Sequence, residues 1–547
     1  MFCPKCGVEN ADGAAFCTAC GNALNPAPVE DVVPVSEETV ETPAAEEAPK
    51  KDLLASVKPL LEKVKPFIEK NKLFVAAGAG VLALVLCIVL LCSIFGGGNG
   101  YTPLKHTMDV FVEDGEVYIS VDAKKVKGTG LESEGLDQVQ TNIDGTILVL
   151  LTDEGELAFV KGTKLTKVAE EVVGFFMSAD GTGIAYGVEN EDGTTLMLYN
   201  TKNKKSVKVT DYLAEESLAI APNGDSLVYF EMKEDDEEPT MMYFKGKKST
   251  KVTSAEVTVL GMSNNGKYIY CIGQDDEGES YLYSYNTKGD RNKLGKCGYS
   301  VAYFNEDHTQ IAFFSTDDGY KTYISTKGKE GKKISSSMAF PMLPSNVSVF
   351  SNRSTSTVPT DDLYNKVYQC QSDKGESIWF IRKNADRSEK LVGNVSKATL
   401  SQDAKYVYYV DDGELKVLTV KKGDNAADKA KTLAEDIDSY VVTSNSKKLY
   451  YTSDGALYCV NAQNGKGKKT VANDDVESYL AINGKDVVYY IMDGDCYATK
   501  NGSKGKKVVS DADDLTTTPN GVVYIETSDA KYATKGAKKP TKVFSND

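Results

Sequence analysis

From about residue 140 the chain repeats one pattern of polar and apolar positions. A polar turn built on Asp or Asn, often followed by Gly, leads into a short apolar run rich in Tyr, Phe, Ile and Val. It reads IDGTILVLL, ADGTGIAYG, PNGDSLVYF, NNGKYIYCI and EDHTQIAFF, then QDAKYVYYV, SNSKKLYYT, INGKDVVYY and a shortened PNGVVYIET. From Asp144 through Asp180, Asn223, Asn265 and Asp307 the spacings are 36, 43, 42 and 42 residues. From Asp403 through Asn445, Asn483 and Asn520 they are 42, 38 and 37. The 96-residue interval between Asp307 and Asp403 leaves room for one degenerate unit around YNKVYQCQSDKGESIWFIRK and an insertion rich in Ser and Pro. Self-similarity at this period is the mark of a repeat architecture.

Each unit has further order. About ten residues after the anchor stands a second turn, as at Asp192-Gly193, Asp318-Gly319, Asp412-Gly413, Asp454-Gly455 and Asp493-Gly494. Asp-Gly between alternating runs predicts a tight hairpin, because both central residues take positive φ. A third turn is full of Lys and Gly, as in FKGKKSTKV, STKGKEGKKI and NGSKGKKVV. Each unit of about 40 residues therefore predicts four short antiparallel strands, the content of a propeller blade. These turn-and-strand units resemble WD40-like propeller repeats of the TolB type, in the Tyr-rich, Lys-turn variety of bacterial extracellular propellers. The resemblance covers roughly residues 140–540 and implies an all-β main domain, a β-propeller of about 8–10 blade-like repeats in a single ring or in tandem. Residues 106–122, HTMDVFVEDGEVYISVD, predict one more hairpin, which either closes the ring against the C-terminal unit or starts a further blade.

The N-terminal hundred residues are of another kind. Residues 73–95, LFVAAGAGVLALVLCIVLLCSIF, carry no charge. At about 1.5 Å per residue they are long enough for a hydrocarbon core of about 30 Å, which predicts one transmembrane helix. Lys58, Lys63, Lys65, Lys70 and Lys72 precede it and only Lys105 follows closely, so the positive-inside rule puts the N-terminus in the cytoplasm and the repeats outside. Residues 51–72 hold an amphipathic stripe with the duplication VKPLLEK, VKPFIEK, kinked at Pro59 and Pro66 and suited to an anionic membrane surface. Residues 26–50 are an acidic, Pro-rich linker expected to be disordered, and 96–103 a flexible exit before the repeat domain at 104–547.

Residues 1–25 contain Cys3-x2-Cys6, ten intervening residues, and Cys17-x2-Cys20. Four thiolates at this spacing make a closed tetrahedral site, structural Zn²⁺ with no open position for a substrate, and iron is the alternative metal. So few residues have no hydrophobic core, so metal binding supplies the folding free energy. The CPxCG and FCxxCG knuckles resemble the short zinc ribbons at the N-termini of bacterial membrane proteins.

Composition narrows the function. A net charge of -16 argues against nucleic-acid binding, which needs a basic footprint. His106 and His308 are the only histidines, which limits any triad; both are expected to be surface turn residues. The acidic stretches KEDDEEP (233–239) and QDDEGES (274–280) are expected to be solvated hairpin loops rather than Ca²⁺ sites. Cys271, Cys297, Cys370, Cys459 and Cys496 are expected to be buried strand residues outside any disulfide framework. The expectation is a non-catalytic envelope protein that binds or scaffolds a protein or envelope polymer outside, with a possible cytoplasmic protein partner for the ribbon and no cofactor but zinc. The rival is a glycan- or peptide-cleaving enzyme built on a propeller.

Overall fold

A computed structural model describes residues 100–547, apart from short stretches around 127, 192, 216, 235, 300, 317, 353, 373, 385, 424, 474, 483, 536 and the last two residues. The zinc ribbon, the linker, the amphipathic stretch and the apolar run 73–95 all lie outside the described residues, as do Asp192, Asp318-Gly319 and Asn483. No described helix is long and apolar enough to cross a membrane.

The described residues fold into antiparallel sheets that follow one another in chain order. Sheet 1 has three strands: Met108–Glu113, Glu116–Val121 and Lys124–Val126. Sheets 2 to 5 are four-stranded meanders starting at Leu136, Val172, Ala219 and Val257. Sheets 8 to 11 are the same, starting at Ser396, Ser439, Val476 and Ala512. The long interval holds sheets 6 and 7. The insertion lends sheet 6 two extra strands, of which Thr355–Thr357 runs parallel to Ala302–Phe304. The total is eleven sheets, beyond the 8–10 units predicted. The additional one is the hairpin at 108–121, whose strands pair in register from Met108↔Val121 to Glu113↔Glu116.

Eleven buried hydrophobic clusters join these sheets, each between one sheet and the next. The pair 2–3, for example, shares Val149, Phe159, Phe175 and Tyr186, and the pair 8–9 shares Val410, Leu415, Leu449 and Tyr451. The eleventh joins sheet 11 to sheet 1 through Ala123, Val522, Tyr524, Ala533 and Val543. The sheets thus form one closed, propeller-like circuit. Alternation explains this: a strand buried on both faces, such as Ile147–Thr152 with all six residues buried, feeds one neighbour with even positions and the other with odd ones.

The turns follow the predicted chemistry. Asp412-Gly413 (φ 49° and 78°), Asp454-Gly455 (50° and 75°) and Asp493-Gly494 (52° and 69°) take positive φ at both central positions of their hairpins. The anchor turns do a second job by binding the next sheet. Ile143 N donates to Ala179 O, and Asp180 N donates to Pro222 O.

The recurring lysines belong to edge protection as much as to turns. Each meander ends in an edge strand such as Lys164–Ala169, Lys205–Thr210 or Lys248–Thr253. Lys164, Lys167, Lys205, Lys208, Lys248 and Lys251 are exposed there. A register shift also bends each of these edges, for instance between Leu157 and Ala158 and between Met241 and Met242. Lysine and bulges are the two standard devices that keep a free edge from pairing with another chain.

Candidate binding site at the ring closure

Sheets 1 and 11 come from opposite ends of the described chain, and the hairpin pair that sheet 11 turns toward sheet 1 is charged. In sheets 2, 4, 5, 8 and 10 the hairpin pair that faces the following sheet is apolar: Leu151/Leu157, Phe230/Met241, Ile272/Leu282, Val410/Leu415 and Ile491/Cys496 are cross-strand partners, whereas sheet 7 has Gln371/Glu376 and sheet 9 has Thr452/Leu457 there. In sheet 11 the corresponding pair is Glu526/Lys531. Among the described residues this cluster also holds only five buried hydrophobics, against ten between sheets 10 and 11.

The opposing wall is the hairpin of sheet 1. Its even-numbered strand positions, Met108, Val110 and Val112, turn with Val117 and Ile119 toward sheet 2. Alternation then turns Asp109, Phe111, Tyr118 and Ser120 toward sheet 11. Asp109 is the direct partner of Ser120 and Phe111 of Tyr118. The result is a cavity of about 510 Å³ lined by Asp109, Phe111, Ser120, Tyr524, Glu526 and Lys531 among others.

Its electrostatics are uneven. Tyr524 donates its hydroxyl to Asp109 Oδ2. Burial raises the Asp109 carboxyl above the usual carboxylate range, against the opposing pull of that hydrogen bond and of Lys531. Burial and the neighbouring Asp109 raise the Tyr524 phenol far above its ordinary value, so it stays a donor. Lys531 Nζ lies 2.8 Å from Glu526 Oε1 and 4.9 Å from the Tyr524 ring centre. Ser120 is 1% exposed, and its Oγ has no hydrogen-bond partner among the described residues. Phe111 meets Phe544 edge-on at 5.1 Å across the seam.

Beside the cavity sits a polar clasp centred on Asp122. Its carboxylate accepts from Asn520 Nδ2 (2.8 Å), Lys535 Nζ (2.7 Å) and the backbone N–H of Thr107 (3.2 Å), with His106 Nδ1 at 2.8 Å. Partial burial works against ionisation, but the bonds from Lys535 and His106 outweigh it and hold the carboxyl below its ordinary value. Thr107 Oγ1 also bonds Asn520 Oδ1 at 2.6 Å. The segment 100–107 leading to the clasp is tied at several points: Thr102 N donates to Pro359 O, Leu104 N to Asn346 O and Lys105 N to Asp144 O.

Both histidines have architectural roles. His106 is part-exposed in the clasp, as expected of a surface residue. His308 corrects its expectation: it is 8% exposed, stacks on Phe304 at 4.2 Å between ring centres, and its Nε2 lies 2.8 Å from Thr357 Oγ1. The insertion strand carrying Thr357 covers the turn, which sequence spacing did not reveal. Burial lowers the His308 imidazole to about 3, so it stays neutral.

The five repeat-domain cysteines are buried and unpaired. Burial raises the thiol of Cys370 to about 11 and those of Cys297 and Cys496 to about 12. The acidic stretch 274–280 is a hairpin loop, with Asp275 accepting from the N–H of Glu277 and Glu279. Among the described residues no group of three or more His, Cys, Asp or Glu could hold a metal.

Cys3, Cys6, Cys17 and Cys20 lie outside the described residues, but residues 2–24 match the zinc-ribbon domain family. No curated protein matches the chain. Solved structures with propeller-like similarity include TolB from Acinetobacter baumannii, 12% identical, with a TM-score of 0.25 over 50% of this chain and 76% of that one. Dipeptidyl peptidase 4 from Porphyromonas gingivalis is 12% identical, with a TM-score of 0.37 over 67% of this chain and 65% of that one. The tricorn protease is 11% identical, with a TM-score of 0.22 over 81% and 62%. With TM-scores below 0.5, these likenesses decide nothing about the chemistry of this chain.

Proposed function

We propose that this chain is a membrane-anchored recognition protein without catalytic activity. Its zinc ribbon, with Cys3, Cys6, Cys17 and Cys20 on one structural Zn²⁺, lies in the cytoplasm. One span at 73–95 crosses the membrane, and a β-propeller outside binds a partner or polymer of the cell envelope. The observation that supports recognition over scaffolding alone is the closure cavity. There Glu526 and Lys531 occupy positions that are apolar in sheets 2, 4, 5, 8 and 10, beside a buried serine hydroxyl without a partner among the described residues. Such polar groups weaken an interface and are retained where they meet a ligand.

Two measurements test the reading. Protease treatment of intact cells is expected to remove the repeat domain and spare the ribbon; the reverse pattern overturns the topology. Elemental analysis of the purified full chain is expected to find one zinc per chain, lost in Cys3→Ser/Cys17→Ser. Iron in its place overturns the metal assignment.

A further inference from the structure

We propose that the closure cavity binds a small molecule bearing a primary ammonium on an aromatic or branched apolar body. The ammonium sits against Asp109 and Ser120, and the apolar body lies along Phe111, Tyr524 and Phe544. This rests on reading the cavity as a recognition site and adds the class of its ligand.

Charge sets the sign. Two carboxylates, Asp109 and Glu526, face one ammonium, Lys531, so the cavity carries a net negative charge that an incoming cation balances. Lys531 is committed to Glu526 at 2.8 Å, which among the described residues leaves Asp109 with only a phenol as direct partner. A carboxylate has about four acceptor positions, and Tyr524 fills one. Ser120 stands directly opposite Asp109 on the hairpin ladder, so the two side chains leave the same face of the hairpin side by side. An ammonium has three donors, enough for Asp109 and Ser120 together.

The walls fix the rest of the molecule. Phe111 and Phe544 accept apolar surface, and the Tyr524 ring, which already carries Lys531 at 4.9 Å, adds to that wall. A volume of about 510 Å³ is in the small-molecule range and too small for a folded partner. An anionic ligand would meet two carboxylates and one occupied lysine. A neutral apolar ligand would leave the remaining acceptor positions of Asp109 and the hydroxyl of Ser120 unfilled, which weakens its binding.

The test uses the full chain in detergent, with calorimetry and thermal shift on three probes of similar shape: phenethylammonium, phenethyl alcohol and 3-phenylpropionate. Phenethylammonium is expected to bind at least about tenfold more tightly than the other two. Asp109→Asn is expected to reduce that binding at least about tenfold, and Ser120→Ala severalfold. Glu256→Gln, an exposed acid just before sheet 5, is expected to leave it unchanged. Unfolding of each variant without probe identifies any that fail to fold, and Ser120→Ala remains informative where Asp109→Asn does not fold. Val139 is an exposed residue of the cavity lining, and tighter binding of the alcohol or the carboxylate, abolished by Val139→Trp, overturns the ammonium class and leaves the cavity as a site. Equal binding of phenethylammonium to Asp109→Asn and wild type also overturns it. Failure of all three probes to bind at millimolar concentration overturns both the class and the cavity reading.

Discussion

Replacing Asp122 by Asn keeps the volume of the side chain and its tolerance of positive φ, here 53°, while removing the charge and one acceptor edge. Lys535 and His106 lose their carboxylate partner. Their side chains are 35% and 47% exposed, so each loss is worth about 0.5–1 kcal/mol. One of the two remaining donors, Asn520 Nδ2 or Thr107 N–H, then faces an amide NH₂ in place of an acceptor, about 1 kcal/mol more. The total is about 2 kcal/mol, a factor of about thirty in an opening equilibrium. Because the clasp joins only sheets 1 and 11, the effect is local. Hydrogen exchange by mass spectrometry at neutral pH is expected to show amides of 107–121 exchanging about thirtyfold faster, with the strand Tyr406–Asp411 unchanged. The sign with pH follows from the lowered carboxyl: the clasp's stability is complete above the ordinary carboxylate range and is lost as pH falls through the lowered value. Wild type and variant therefore converge in acid. No acceleration at neutral pH, or an equal one throughout the chain, refutes the idea that Asp122 locks the circuit.

Three more outcomes follow from the same geometry. Gly145 has φ 71°, and a Cβ there would overlap the backbone carbonyl oxygen of His106. Gly145→Ala is therefore expected to cost about 3 kcal/mol in urea unfolding, whereas Gly413→Ala, with φ 78° and open space, is expected to cost about 1 kcal/mol. His308 is held near 3, below its unfolded value, so the unfolded chain takes up the proton first and stability falls as pH drops from the ordinary histidine range toward 3. In His308→Gln that contribution is expected to vanish, a difference of up to about 1.4 kcal/mol per pH unit between unfolding curves taken from pH 7 to 4. Asp109 behaves oppositely: with its carboxyl raised, the stability it contributes is present in acid and lost as pH climbs through the raised value. Asp109→Asn is thus expected to raise the urea midpoint of the ligand-free chain at pH 7 while losing the ligand.

Most of the fold was legible because its determinants are local. Asp-Gly pairs such as Asp454-Gly455 specify their turn by φ alone, and apolar runs such as VVYYIM specify strands buried on both faces. The count fell short because sheet 1 contains a single Asp-Gly hairpin, Asp114-Gly115, without the anchor that marks the others. His308 was misread because the strand that buries it comes from an insertion some fifty residues later in the chain. The cavity did have a signal: IETSDAKY in the last unit stands where the preceding one has YIMDGDCY, with Glu526 and Lys531 at positions held there by Ile491 and Cys496. Its partner wall had none, since only the closure brings Asp109 and Ser120 against sheet 11.

That closure is also the interface at which polar substitution is least expected on grounds of stability. Joining sheet 11 to sheet 1 brings together segments about four hundred residues apart, as in the Thr107–Asn520 bond, so it carries the largest loop-closure cost among the sheet contacts. Stability alone would favour the largest apolar cluster there. Instead the seam has five buried hydrophobics, a desolvated carboxylate, a serine without a partner and a polar clasp at its rim. Sister sheets show that Ile/Cys, Val/Leu and Phe/Met pairs all fit the position of Glu526/Lys531. A chain that fills this position with apolar pairs in five sheets, and with a charged pair at the junction costliest to close, gains no stability from that choice. The strand that forms one wall of the cavity, Met108–Glu113, is also the first described strand after the apolar run 73–95. A ligand seated between sheets 1 and 11 therefore holds the part of the propeller-like domain nearest in sequence to the proposed membrane anchor.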